Sequence, residues 1–259
     1  MSARLVYAEW LKLFRKRGLL WGSLVSIIGG LIIVFIILES LHLANPDRYG
    51  PVGGTNVFDA WSMGLALMGA VVAVIIGATA GTADVSSGVF RDLVATGCPR
   101  WRLFAARVPG ALALLIPIVT LGFMVVTVIS IFFAGSKPVP DASLFVKCHG
   151  WVLLFTGFDL VLALGFASLV GSRAAAIGVL LGWQFIASPF LQQASFLGSF
   201  RRVLYTGALN RLNPIPTLNA NDIWGVSYNI NVAGAIVVLL MWVAVMLAAG
   251  WWRTATRDA

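Results

Sequence analysis

The residues of this 259-residue chain that are placed to do chemistry fall into a few groups. The most concentrated is an island at 84–107, where Asp84, Arg91, Asp92, Arg100, Arg102 and Arg107 stand between two long apolar runs. A charged segment of that kind suits docking of a soluble partner. The same arginines also follow from the bias that keeps positive charge on the inner side of a membrane, and both readings stay open at this point. A second candidate is Asp159, an acid inside an apolar run. An aspartate at mid-membrane costs about 2.5–3.5 kcal/mol on insertion scales, so it must face protein or water, or carry a proton. It suits a proton-linked or substrate-facing role, with Trp183, Gln184 and Ser188 of the following run as candidate pathway residues. The competing reading is a structural hydrogen bond to another span.

Other chemistries lack their residues. The lysines are Lys12, Lys16, Lys137 and Lys147, and none follows Gly and precedes Ser or Thr. A phosphate-cradling loop requires that setting, so the chain is not expected to bind ATP by itself. His42, Cys148 and His149 fall on one predicted side but lack the spacing of a ligand cluster, and no metal is expected. No serine–histidine–carboxylate arrangement stands out, since both histidines lie at the edges of apolar runs.

The elements that must position these residues are membrane helices. The chain is 59% hydrophobic and 11% charged, with mean hydropathy +0.93, whereas soluble domains carry roughly 25% charged residues. Its net charge of +8 sits beside apolar runs, where anionic headgroups and insertion bias account for it, so no nucleic-acid partner is expected. Two cysteines make no disulfide framework. The apolar runs predict an all-α integral membrane protein, a single domain over 1–259, with spans near 19–41, 60–82, 108–134, 149–170, 174–191 and 232–252.

Residues 1–17 read as an amphipathic helix lying in the headgroup layer, with Val6, Trp10, Leu13 and Phe14 on one face and Glu9, Lys12 and Lys16 on another, flanked by Arg15 and Arg17. The island reads as two short helices around Gly97 and Pro99, with Val85, Val89, Phe90, Leu93 and Val94 forming the apolar face of the first. Residues 192–231 are too apolar for a solvated loop and predict short helices dipping into the outer leaflet. Twelve of the eighteen Lys and Arg residues fall on the side of the N-terminus and the island, which makes both termini cytoplasmic. Small residues recur every four positions at Gly18, Gly22, Ser26 and Gly30, and again at Ala174, Gly178 and Gly182, a spacing that lets helices approach closely within a subunit or across a dimer.

Two stretches carry a resemblance. In the island, Asp84, Gly88, Arg91, Leu93, Ala95, Thr96, Gly97 and Arg100 occupy the places of the acid, glycine, leucine-rich helix, small turn and arginine of a coupling element. At the N-terminus, Glu9, Lys12 and Arg15 to Arg17 are similar to a basic interfacial start. On these, the chain resembles the permease subunits of exporter-type ATP-binding cassette transporters, the ABC-2-like group. Asp84 stands where that family more often has Glu.

The resemblance implies a helical coupling element between spans two and three that would include Asp92. It implies a cytosolic ATPase partner that carries ATP and magnesium, a second permease chain, and a place in a bacterial or archaeal plasma membrane. The cargo would be an amphipathic or lipid-like compound moved outward, such as a drug, antibiotic or peptide. An integral-membrane enzyme and a non-transporting anchor or sensor subunit are the alternatives.

Overall fold

The computed structural model describes residues 3–86, 88, 97, 99–215 and 230–256, and among them every regular element is helical. Helix α1 covers Ala3–Phe14. Helices α2 (Arg17–Leu24) and α3 (Gly30–Ala44) are joined through a π-helical turn, Val25–Gly29, into one rod. Long helices follow: α4 (Thr55–Ser86), α5 (Arg100–Phe132) and α6 (Ala142–Val170). Helices α7 (Arg173–Gly182) and α8 (Ser188–Gln193) flank a second π-helical turn, Trp183–Ala187. A 3₁₀ segment (Ser195–Val203), α9 (Tyr205–Arg211) and α10 (Val232–Thr256) complete the described chain.

Among the described residues, six helices are long and apolar enough to cross a membrane: Arg17–Ala44, Val57–Asp84, Arg100–Phe132, Ala142–Val170, Arg173–Gln193 and Val232–Thr256. The number matches the sequence expectation, but two starts, those of α5 and α6, lie about two turns earlier. Helix α5 begins at Arg100, not near 108, because Arg102, Leu103, Ala105 and Ala106 are good helix formers with no breaker among them. It continues through Pro109 and Pro117. Helix α6 begins where the Asp141 carboxylate accepts from Leu144 N at 2.9 Å, a side-chain cap that hydropathy does not see. It ends at Gly171, whose φ of 77° is left-handed, and the Ser172 hydroxyl then caps α7.

Helices α4 and α6 form the centre. Inside a membrane, helices gain little by leaving lipid, so close packing decides which of them associate. At Gly77 an added Cβ would lie 2.4 Å from the Leu160 carbonyl oxygen, so the two backbones meet where no larger residue fits. Leu65 and Ile76 of α4 and Leu160, Leu162 and Leu164 of α6 are fully buried. The first and last spans are peripheral and show Ile33, Ile36, Val237, Leu240 and Val245 to the surroundings, an arrangement suited to hydrocarbon.

On the bundle end opposite α1, three buried or half-buried indoles hold the connections in place. Trp61 Nε1 donates to the Val52 carbonyl (2.8 Å), Trp151 Nε1 to Leu209 (3.0 Å) and Trp242 Nε1 to Val203 (2.8 Å). At the same end Gly53 N and Gly54 N donate to the Phe133 and Ser130 carbonyls, satisfying acceptors that the end of α5 would otherwise leave open.

Candidate functional site

The densest polar chemistry lies where α1, the last turn of α4 and the second turn of α5 converge. Lys12 Nζ donates to Asp84 Oδ1 at 2.6 Å and to Glu9 Oε1 at 2.7 Å. Arg107 Nη2 donates to Asp84 Oδ2 at 2.8 Å, and its Nη1 approaches the Gly81 carbonyl at 3.4 Å. Asp84, Glu9 and Arg107 are all buried. Asp84 therefore joins three helices, one carboxylate oxygen serving α1 and the other α5.

Close backbone contact makes this geometry possible. A Cβ on Gly110 of α5 would lie 2.6 Å from Glu9 Cβ, so only glycine lets α1 settle this deep. Docking there buries Glu9 and Leu13 and leaves Tyr7 and Phe14 exposed, with Trp10 stacked on Phe14 at 5.0 Å between ring centroids. The sequence pattern put Glu9 on the polar face; pairing with Lys12 is what lets it turn inward. Burial pushes the Glu9 carboxyl above its ordinary range, and the hydrogen bond and charge of Lys12 offset only part of that. The Lys16 ammonium is pushed down, first by burial and then by the positive charges of Arg173 and Lys12.

The island is anchored at its far end too. Arg100 Nη1 donates to the Ala255 carbonyl at 2.8 Å, near the end of α10, where a cation suits the helix terminus. Gly88 and Gly97 adopt φ of 72° and 80°, so both flank the connection in left-handed turns. Arg91, Asp92, Leu93, Thr96 and most of the predicted first island helix lie outside the described residues. Asp84, expected at the start of the island, is the buried end of a span. Arg15 is exposed at the joint between α1 and α2, and Lys16 beside it keeps part of its surface in solvent.

The small residues divide. Gly30 packs on Met68, its Cβ position 3.1 Å from the sulfur, and Ser26 is exposed. At Gly18, Gly22, Gly178 and Gly182 a Cβ would meet nothing within 4 Å. Lys16, Gly22, Ser26, Val72, Thr79 and Arg173 line a cleft of about 420 Å³ between the first span, α4 and the start of α7.

Asp159, Gln184 and Ser188 do come together in the interior, whereas Trp183 packs against the apolar core. Gln184 Nε2 donates to Asp159 Oδ2 at 3.3 Å. Ser188 Oγ and Thr206 Oγ1 of α9 share a hydrogen bond, and Gln192 Nε2 donates to both. Sequence reading missed Gln192 and Thr206; the repeat of Gln184, Ser188 and Gln192 every four residues was the available signal. Among the described residues no three of His, Cys, Asp and Glu gather as a metal site requires, and His42 Nδ1 is instead engaged with the Tyr49 carbonyl at 2.6 Å.

No protein-family model matches the chain, and no curated protein matches it.

Proposed function

We propose that the chain is the membrane-spanning permease subunit of an ATP-binding cassette exporter. It carries no nucleotide site of its own and is driven by a separate cytosolic ATPase that holds ATP and magnesium. The observation that carries this reading is the bridging of α1, α4 and α5 by Asp84, Lys12 and Arg107 beside the island. A push on the island reaches α4 through Asp84, α5 through Arg107 and α1 through Lys12. With Arg100 on the end of α10, four helices would move as one body from a single contact surface. A loop that only fixed topology would need no such bracing.

In this reading α1 lies in the inner headgroup layer, both termini are cytoplasmic, and the short helices after α8 dip into the outer leaflet. A second permease chain packs against the open faces at Gly18, Gly22, Gly178 and Gly182, where small residues allow close approach. The cargo is an amphipathic or lipid-like compound moved outward across a bacterial or archaeal plasma membrane.

A photo-crosslinking residue at Trp101, half exposed at the start of α5, tests this. The expected product in intact membranes is an adduct with an ATP-binding cassette ATPase, reduced by excess purified ATPase. Absence of any ATPase adduct from positions 101 and 102 overturns the reading.

A further inference from the structure

Asp159 is 2% exposed on α6, in the interior of a span. Its hydrogen-bonded side-chain partner is the neutral amide of Gln184, at 3.3 Å. No cation faces it. The Tyr205 hydroxyl of α9 is the titratable group near it, and among the described residues α4, α5, α7 and α10 present it no charged side chain. The Asp84 cluster sits at the other end of the bundle with its own cations. A lone carboxylate at such depth costs about 2.5–3.5 kcal/mol on insertion scales, and a proton removes that charge.

Proton traffic needs a route, and the interior holds the parts of one. Gln184 Oε1 is buried without a hydrogen-bond partner. Gln184, Ser188, Gln192, Thr206 and Asn210 form the polar part of the lining of a cavity of about 40 Å³ on the side of the bundle away from α1, and apolar side chains close the rest. A water needs roughly 10–15 Å³ of such space and two to four polar partners, so the cavity has room for water beside the Gln184 side chain. From there Ser188, Thr206 and Gln192 are linked to one another. Arg201, partly exposed, donates to the Gln192 carbonyl at 3.2 Å, and Asn210 is half-buried. The chain of polar groups thus runs from mid-span to the surface. Gln184 lies in the π-helical turn Trp183–Ala187, and extra-residue turns of this kind recur at functional positions.

We propose that Asp159 is a proton-binding site in exchange with the bundle end opposite α1, through water in this cavity and the hydroxyls of Ser188 and Thr206. A hydronium at the mouth gives its proton to the hydrogen-bonded chain, and the last water in the cavity delivers one to the Asp159 carboxylate. The products are a neutral carboxyl group and water, and release runs in reverse. An amide is a poor proton carrier, so Gln184 acts as a positioning residue and gate. Rotation of its amide trades the Asp159 bond for one to water and lets the water reach the carboxylate. This inference is independent of the transporter reading.

Infrared spectroscopy of the full chain in lipid bilayers, switched from H2O to D2O, tests it. The Asp159 carboxyl band is the one present in the native chain and missing in Asp159→Asn. It should shift on deuteration in the native chain and in Thr206→Ser. Gln184→Leu and Thr206→Val should slow that shift by about tenfold, the rate equivalent of one lost hydrogen bond. Lack of an Asp159 carboxyl band, or equal exchange rates in all these chains, overturns the proposal. If Asp159→Asn does not fold, dicyclohexylcarbodiimide gives a readout on the native chain, because it adds to protonated carboxyl groups. A mapped adduct at Asp159 is expected, and its absence overturns the proposal equally.

Discussion

Arg107 Nη2 lies 2.8 Å from Asp84 Oδ2, and neither side chain has meaningful contact with solvent. Asp84 also holds Lys12, but among the described residues no second carboxylate holds Arg107. Lys12 and Arg107 are therefore not equivalent as partners of Asp84. Loss of Lys12 leaves the Asp84–Arg107 pair intact and removes the partner of Glu9, a carboxyl already raised by burial and able to take up a proton. Loss of Asp84 leaves a permanently charged, buried guanidinium whose remaining contact among the described residues is a carbonyl at 3.4 Å. Stranding a buried charge costs roughly 3–5 kcal/mol. Asp84→Asn should then lower the unfolding free energy in detergent or bicelles by that amount, and Lys12→Met by clearly less. Thermal or denaturant melts of both variants read the order, and the reverse order would show that α1, not α5, is the main partner of Asp84.

Glu9 gives a pH dependence with a definite sign. Its folded-state value is raised above the ordinary 4.5, so its contribution is fully present below about pH 4.5 and is lost as pH rises through the folded-state value. The stability of the native chain relative to Glu9→Gln should therefore fall as pH is raised from 4.5 toward neutrality. A difference that rises over that interval would mean that Lys12 outweighs burial at Glu9.

Gly110 allows α1 to dock. A side chain there would stand 2.6 Å from Glu9 Cβ and 3.1 Å from Trp10 N, atoms that belong to a helix and cannot step aside singly. Gly110→Val should lift α1 off α5 while the six spans remain. Trypsin should then cut faster after Lys12 and Arg15, and an unchanged rate would place α1 stability elsewhere.

The open glycine faces make a separate prediction. In a single chain Gly22→Leu and Gly178→Leu meet no atoms at Cβ, so monomer folding should be unaffected. Assembly into a dimer should weaken, as read by crosslinking or mass photometry in nanodiscs. Normal assembly in both variants would remove these faces from the interface.

The six spans were legible because each is a long apolar run, and hydropathy needs no knowledge of neighbours. Their ends were less so. The start of α5 is charged, and that of α6 depends on a cap at Asp141, so neither registers as apolar. The polar residues of the island were visible as a group, but their pairing was not. Lys12 and Asp84 stand 72 residues apart, and nothing local marks one as the partner of the other. The inward turn of Glu9 was equally hidden, since it depends on Gly110 in a different helix. Asp159 drew attention by being an acid in an apolar run, and Gln184 by lying in the next span. Thr206 had no such mark, because its place is set by α9 folding back onto α8.

The central claim is that the segment between α4 and α5 receives a cytosolic ATPase. The direct measurement is retention of ATPase activity on the tagged chain purified from membranes, compared with Arg91→Glu at equal membrane levels. The account predicts that the native chain retains an ATP-hydrolysing subunit and that Arg91→Glu inserts normally but retains several-fold less. A native chain that retains none, or an Arg91→Glu chain that retains as much, would contradict it.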